Sequence, residues 1–255
     1  MNKAFCGLAL MITSALVNAS DSEGSKNPIT VSGSITVVSD YVARGLTKYV
    51  ENEGATLQGS LTIGYDNFYA SYWGSSIGYS FRELQGGEAQ SSDKFEHNFI
   101  LGYTWDYKDI AFDLWDATYY YQGGEHLTSN ELGLTVTAPI SVKGTLVSST
   151  SVNLNDAYYM NQGDTYSTLS YIHQFTDTTS VTLGVAGSYF NDDGKYEGKG
   201  VLDTQTDFTY RYSTIRADHS LNDSLVIFAQ YYFGGYDRSD IKQPNKPVFG
   251  LTYMF

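Results

Sequence analysis

The sequence is poor in the residues that most catalytic and regulatory folds depend on. A single cysteine, Cys6, stands among 255 residues, which removes any disulfide framework, cysteine-ligated metal or cysteine nucleophile from consideration. Proline is confined to 4 positions and charged side chains to 17%, below the roughly 25% of soluble globular domains. Beyond the first twenty positions no run of ~18 apolar residues occurs, so a helical membrane bundle is excluded. Basic residues number 15 against 28 acidic ones, for a formal charge of −13; displacing counterions from phosphates needs the opposite balance, so nucleic acid is not a partner. No metal-ligand spacing, phosphate-cradling loop or dinucleotide fingerprint is found, and no metal or cofactor is expected.

What the chain has in excess is 23 Tyr and 25 Gly, a β-rich composition. The N-terminus has the grammar of export. Lys3 precedes an apolar stretch at 4–17, and Val17-Asn18-Ala19 supplies the −3 and −1 residues of a cleavage site before Ser20. Residues 1–19 are therefore read as a signal peptide and 20–28 as a short spacer, leaving 29–255 as one domain. Losing Lys3 with the leader leaves 14 basic and 28 acidic residues, a charge of −14, and no thiol.

From Ile29 onward apolar and polar side chains alternate in segments of about 9 to 12 residues, the period-two signature of strands with two unlike faces. Leu57, Gly59, Leu61, Ile63 and Tyr65 share one face, with Thr56, Gln58, Ser60 and Thr62 on the other. Phe99, Leu101, Tyr103 and Trp105 similarly oppose Glu96, Asn98, Gly102 and Thr104. About twelve segments follow: 29–42, 54–65, 68–78, 95–105, 110–121, 127–138, 141–152, 164–174, 179–190, 204–216, 224–234 and 247–255. Segment 68–78 alternates ambiguously, and Asp116 falls on the apolar face of 110–121 unless a bulge shifts the phase, so ten or fourteen strands remain open. The connections alternate between long and short, as in an up-and-down barrel with tight turns on one rim and exposed loops on the other.

A soluble sandwich would have a similar number of strands. Three features favour a barrel in a membrane: the export signal, the aromatic clusters at strand ends, and the C-terminus. Tyr119-Tyr120-Tyr121, Tyr158-Tyr159, Tyr231-Tyr232-Phe233 and Trp73 are expected to form interfacial girdles. The last segment places Phe249, Leu251, Tyr253 and Phe255 on one face and ends on an aromatic residue, resembling the sorting signal of bacterial outer-membrane barrels. A spanning sheet must close on itself because hydrocarbon satisfies no backbone amide, and an even strand number leaves both termini on one side. The expected fold is thus all-β, a transmembrane up-and-down antiparallel barrel of a Gram-negative type envelope.

Several of these residues also carry a family resemblance. Ser39-Asp40-Tyr41-Val42-Ala43-Arg44-Gly45, then Gln58-Gly59, then Phe68-Tyr69-Ala70-Ser71-Tyr72-Trp73-Gly74-Ser75, and finally Gly250-Leu251-Thr252-Tyr253-Met254-Phe255 resemble the TorF-type family of outer-membrane porins. That family has long been carried as conserved hypothetical proteins. Leu46-Thr47-Lys48-Tyr49 departs from the family's run after Arg-Gly, and the match over about 110–245 is architectural. The resemblance implies an outer-membrane barrel that passes solutes, and it brings no catalytic or binding residues.

A barrel of about twelve strands has room for a narrow pore without requiring one. The charged residues expected on the inward face are Asp40, Arg44, Glu96, Asp113, Glu131, Lys143 and Arg211, a balanced set that suits a constriction or a salt-bridged plug. Expected partners are outer-membrane lipid and lipopolysaccharide, small solutes, and the barrel-assembly machinery acting on the C-terminal strand. The main alternative is a non-conducting barrel serving as adhesin, receptor or structural element. An outer-membrane hydrolase is a third reading, but none of His97, His126, His173 and His219 comes with a nucleophile and an orienting group in a spacing that suggests a triad.

Overall fold

The computed structural model describes residues 29–48, 52–199 and 201–255; the expected signal peptide and spacer lie outside the described residues. Twelve strands form the wall: β1 (Ile29–Tyr41), β2 (Asn52–Tyr65), β3 (Phe68–Ser76), β4 (Phe95–Tyr107), β5 (Ile110–Tyr121), β6 (Ser129–Pro139), β7 (Gly144–Asn153), β8 (Thr165–Thr176), β9 (Thr179–Tyr189), β10 (Phe208–Ser220), β11 (Leu225–Gly234) and β12 (Lys246–Met254). Each is antiparallel to its chain neighbours, and β1 pairs with β12 to close the cylinder. The strand count and the twelve segments match the sequence reading, with ends displaced by a few residues.

Alternation explains why these segments pair as they do. On β2, Leu57, Leu61, Ile63 and Tyr65 are exposed on the outside, while Thr56 is buried on the inside. On β4, Leu101 is 65% exposed and Glu96 only 3%, the reverse of a soluble protein's pattern. A one-residue slip would exchange the two sets on any strand, so register is strongly specified. The registers of β4 with β5 and β5 with β6 run without a bulge, so Asp116 does face outward. Bulges occur elsewhere, between Val38 and Asp40 and between Tyr210 and Tyr212.

The aromatic residues divide between the two sides of the wall. Outside, at the short-turn rim, Phe68 packs on Tyr103 at 4.7 Å and Trp105 stacks on Phe112 at 5.1 Å. At the long-loop rim Tyr189 meets Phe208 at 4.9 Å and Tyr231 meets Phe233 at the same distance. Of the expected girdle, Tyr120, Tyr231 and Phe233 are on the outer face, and the other members are corrected. Tyr121 and Tyr232 are buried inside, with Trp73 and Tyr119 packed against the interior clusters, because the alternation turns every second residue of a run such as Tyr119-Tyr120-Tyr121 into the lumen. Tyr158 and Tyr159 lie between β7 and β8 and pack on the same interior cluster.

The seam is short. β1 and β12 share five register pairs, Ser34 with Met254 to Val38 with Gly250. The ladder is extended by Phe255, whose N–H donates to the Gly33 carbonyl at 3.1 Å and whose carbonyl accepts from the Gly33 N–H at 2.9 Å. The Phe255 ring lies over Gly33 so closely that a Cβ there would come within 2.6 Å of it. The long loops carry a short helix, α1 (Phe81–Leu84), and a 3-10 turn at Ser91–Asp93.

Candidate site in the lumen

After β1 the chain does not leave the barrel. Residues 42–47 turn inward, using positive φ at Arg44 (47°) and Gly45 (78°). Glycine is needed at the second position because a Cβ on Gly45 would come within 2.2 Å of the buried Tyr212 ring. Val42 packs with Val38, Tyr212, Phe228, Tyr232 and Val248 on one side of the lumen. Ala43 lies against a second cluster on the other side, built from Tyr41, Ile77, Phe81, Tyr121 and Leu127. The turn is held at its far end by Lys48, whose N–H donates to Gln243 Oε1 at 2.9 Å, and by the Thr47 hydroxyl, which donates to the Pro244 carbonyl.

Arg44 reaches across. Its Nη2 donates to Glu131 Oε2 at 2.7 Å and to the Tyr119 hydroxyl at 3.3 Å. Glu131 is on β6, five strands round from β1 in a wall of twelve and so almost diametrically opposite. Tyr119 donates to the same carboxylate at 3.1 Å, and the guanidinium lies 4.9 Å from the centre of the Tyr166 ring. The backbone carbonyl of Arg44 accepts from Arg211 on β10, from Nε at 3.2 Å and Nη2 at 3.1 Å. The turn is thus a crosspiece fixed to opposite walls.

The other charges sort around it. Glu96 accepts from the Tyr41 hydroxyl at 3.0 Å and from Asn98 at 2.9 Å, and Asp113 accepts from the Tyr69 hydroxyl at 3.1 Å. Asp40 is paired with Lys246 at 2.9 Å. Lys143 is a correction: it lies in the β6–β7 turn, exposed, with Nζ 3.3 Å from the Phe175 carbonyl, because β7 begins at Gly144, beyond it. The sequence reading missed Arg216 and Asp218, which face inward and pair at 2.7 Å, with Arg216 stacked 3.7 Å over the Phe228 ring. Carrying the alternation of Thr214 two steps further along β10 would have found both.

Between the crosspiece and the short-turn rim the wall is lined by hydroxyls. Ser34 bonds Ser60 at 2.8 Å, Thr36 bonds Thr252 at 3.0 Å, Thr62 bonds Ser71 at 2.8 Å and Thr135 bonds Ser149 at 2.9 Å, each pair across neighbouring strands. Four buried amide atoms have no protein partner among the described residues, Asn98 Oδ1 and Gln230 Nε2 on the barrel wall and Asn153 Oδ1 and Asn161 Oδ1 at the loop end.

Beyond the crosspiece, the outer loops are tied to one another. Asp164 accepts backbone N–H groups from Asn161 and Asn191, each at 2.9 Å, and both terminal nitrogens of Arg238 at 3.1 and 3.2 Å. Asp93 accepts from Arg82 Nε at 2.9 Å, and this hydrogen bond holds its carboxyl below the usual aspartate range. Burial raises the Tyr159 hydroxyl well above the ordinary phenol range, leaving it a neutral partner for Ser129 at 2.7 Å. Ser129 is thereby engaged away from His126, which stacks on Tyr196 at 4.9 Å, and His219 bonds Thr179 at 2.9 Å. Among the described residues no group of three or more His, Cys, Asp or Glu is placed to hold a metal ion.

The sequence profile of a family described as "Bacterial protein of unknown function (Gcw_chp)" matches residues 22–232. No curated protein sequence matches the chain. Among solved structures, the KdgM porin superposes with a TM-score of 0.54 at 9% identity, covering 88% of this chain and 99% of that one. The NanC porin gives 0.54 at 6% identity, covering 88% and 98%. An outer membrane channel from Pseudomonas putida gives 0.51 at 11% identity, covering 93% and 98%. At these identities the likeness is one of fold, a closed antiparallel barrel.

Proposed function

We propose that this chain, which belongs to the Gcw_chp family of bacterial proteins of unknown function, is a narrow outer-membrane channel for small polar solutes. In this reading residues 42–47 form the constriction. The observation that carries it is Arg44, hydrogen-bonded through its side chain to Glu131 and through its carbonyl to Arg211, set across a lumen whose wall also carries pairs of Ser and Thr hydroxyls and the Arg216–Asp218 pair. Buried polar atoms without a protein partner, Asn98 Oδ1 and Gln230 Nε2, favour a wet interior, since such groups are ordinarily satisfied by protein or water. Opposed charges of both signs at the crosspiece would orient a dipolar solute rather than select strongly by charge.

The barrel-like likeness to porins and the outward apolar belt support placement in the outer membrane, long loops outward, after removal of residues 1–19. The TorF-type resemblance of Ser39 to Gly45 points the same way, because that motif builds the crosspiece. Lipopolysaccharide is the neighbour that the loops would meet. The assembly machinery would read Phe249, Leu251, Tyr253 and Phe255, three of which lie on the outer face of β12.

The test is planar-bilayer conductance of the folded protein together with liposome swelling in sugars and charged solutes of graded size. Small single-channel steps and swelling limited to small sugars are expected, with Arg44→Ala enlarging both. Folded protein that gives neither would favour a second reading, a sealed barrel acting through its loops as adhesin, receptor or structural element. The apolar clusters on both sides of Arg44 are what favour that alternative.

A further inference from the structure

Asp116 faces the wrong way for a lumen charge. It stands on the outer face of β5, four residues from Phe112 toward the short-turn rim and four from Tyr120 toward the loops, hence at the middle of the apolar belt. Its cross-strand partners are Leu101 and Leu132. An adjoining outer hollow of about 690 Å³ is lined next to it by Ala70, Leu101, Leu114 and Leu132, and the Tyr69 hydroxyl and Trp115 N–H that also border it donate to Asp113 and Thr135 instead. Among the described residues Asp116 makes no hydrogen bond or ion pair. A carboxyl group facing hydrocarbon in this way ordinarily marks a partner.

Polar side chains continue along this same face; elsewhere on the outside Ser213 of β10 accepts from the Tyr210 hydroxyl at 2.8 Å and Ser39 of β1 from the Phe249 N–H at 3.0 Å, each partnered within its own copy. Thr118 accepts from Asn130 at 2.6 Å, and on β7 and β8 Thr150 bonds Ser167 at 3.0 Å, with Ser148 exposed beside them. At comparable depth β9 presents Leu183 and Val185, β11 Ile227 and β12 Leu251. The polar face is therefore centred on β6, with the carboxyl on β5 and the hydroxyls on β7.

Depth decides which hydroxyl can meet Asp116. The register line from Asp116 passes Leu132 and Val152 and ends at Thr165, the first residue of β8 at the loop rim, so it climbs outward. With strands ~4.8 Å apart and tilted by ~40°, two strands raise the line by about 6 Å, and each residue along a strand spans about 2.5 Å of depth. The residue on β7 level with Asp116 is then about two positions below Val152, which is Thr150. A two-fold axis along the membrane normal beside β6 brings β5 of one copy against β7 of the other at equal depth.

We infer that the outer face of β5, β6 and β7 is a two-fold interface between two copies of this chain, in which each Asp116 accepts a hydrogen bond from the partner's Thr150. The hydroxyl pair of Thr150 and Ser167 suits this, since one of its two protons bonds within the pair and the other is left to donate outward. The inference rests on the membrane-barrel reading and not on conductance.

The test is thiol cross-linking in native outer-membrane vesicles, on a chain whose residues 20–255 contain no cysteine. Leu132→Cys, next to the axis, is expected to give a dimer with a short bis-thiol reagent, and Leu183→Cys on β9, a quarter turn round the wall, only monomer. Adding Asp116→Leu to Leu132→Cys is expected to lower the dimer yield about tenfold, the effect of losing a hydrogen bond to a charged group. Unheated gel mobility of the same samples reports the folded barrel, so failure of the membrane reading is distinguished from failure of the interface, and light scattering of unmodified protein in detergent gives its mass directly. Monomer throughout, oligomers larger than a dimer, or dimer yield indifferent to Asp116→Leu would each overturn the inference.

Discussion

Arg44 and Glu131 are 87 residues apart in sequence and 2.7 Å apart across the lumen, and Glu131 is almost completely buried. Removing one partner of such a pair strands the other. Arg44→Ala is expected to lower stability by about 3 kcal/mol, the lower end for breaking a buried pair, because Arg44 itself keeps some exposure. The temperature at which gel mobility shifts from folded to unfolded reads this loss. Conductance should rise at the same time and turn toward cations, as Glu131 and Glu96 lose their counter-charge. The double variant Arg44→Ala/Glu131→Gln is expected to regain most of the stability, keep the larger conductance and lose part of the cation preference.

Gly45→Ala tests the crosspiece without touching a charge. The substitution is strained by φ at 78° and meets the Tyr212 ring, which is locked in a buried cluster. A loss of about 1–3 kcal/mol is expected, with conductance raised as the turn is displaced. Gly86→Ala, which has the same sign of φ but open space around it, should leave conductance unchanged.

The loop carrying α1 should respond to acid through Asp93. Its hydrogen bond with Arg82 depresses the carboxyl in the folded state, so the stabilising contribution is fully present above the ordinary aspartate value of about 3.9 and disappears as pH falls through the depressed folded value. Limited proteolysis of the loop should therefore stay slow at neutral and mildly acidic pH and accelerate only below that range. Arg82→Gln is expected to move the onset upward. Equal onset in both proteins would show that Asp93 is not the group responsible.

Gly33→Val probes the closing seam. A side chain there meets the Phe255 ring and the Ser60 carbonyl, both at 2.6 Å. Overpacking of this kind costs about 1–3 kcal/mol; the expected result is a lowered mobility-shift temperature and less folded protein in the membrane. Gly59→Val, where the nearest contact is 3.7 Å, is the matched control.

Strands were readable from the sequence because each has two chemically unlike faces, and Asp116 was conspicuous on the apolar face for the same reason. Rotation within aromatic runs was not readable. Tyr120 faces outward while Tyr119 and Tyr121 face the lumen, and only the phase of the whole strand decides which is which. Lys143 was misplaced because Pro139 and Gly144 set the turn later than the apolar pattern of 141–152 suggested. The motif from Ser39 to Gly45 was visible as a motif, yet its path was not: Arg44 finds Glu131 only because the five intervening hairpin and loop geometries bring β6 opposite β1.

The crosspiece also ties the bore to the closing seam. Its anchors belong to β6, β10 and the loop before β12, three parts of the wall that stand at their observed separations in the closed cylinder. Loosening the join between the first and last strands is therefore expected to unseat Arg44, a defect at one edge read out at the centre.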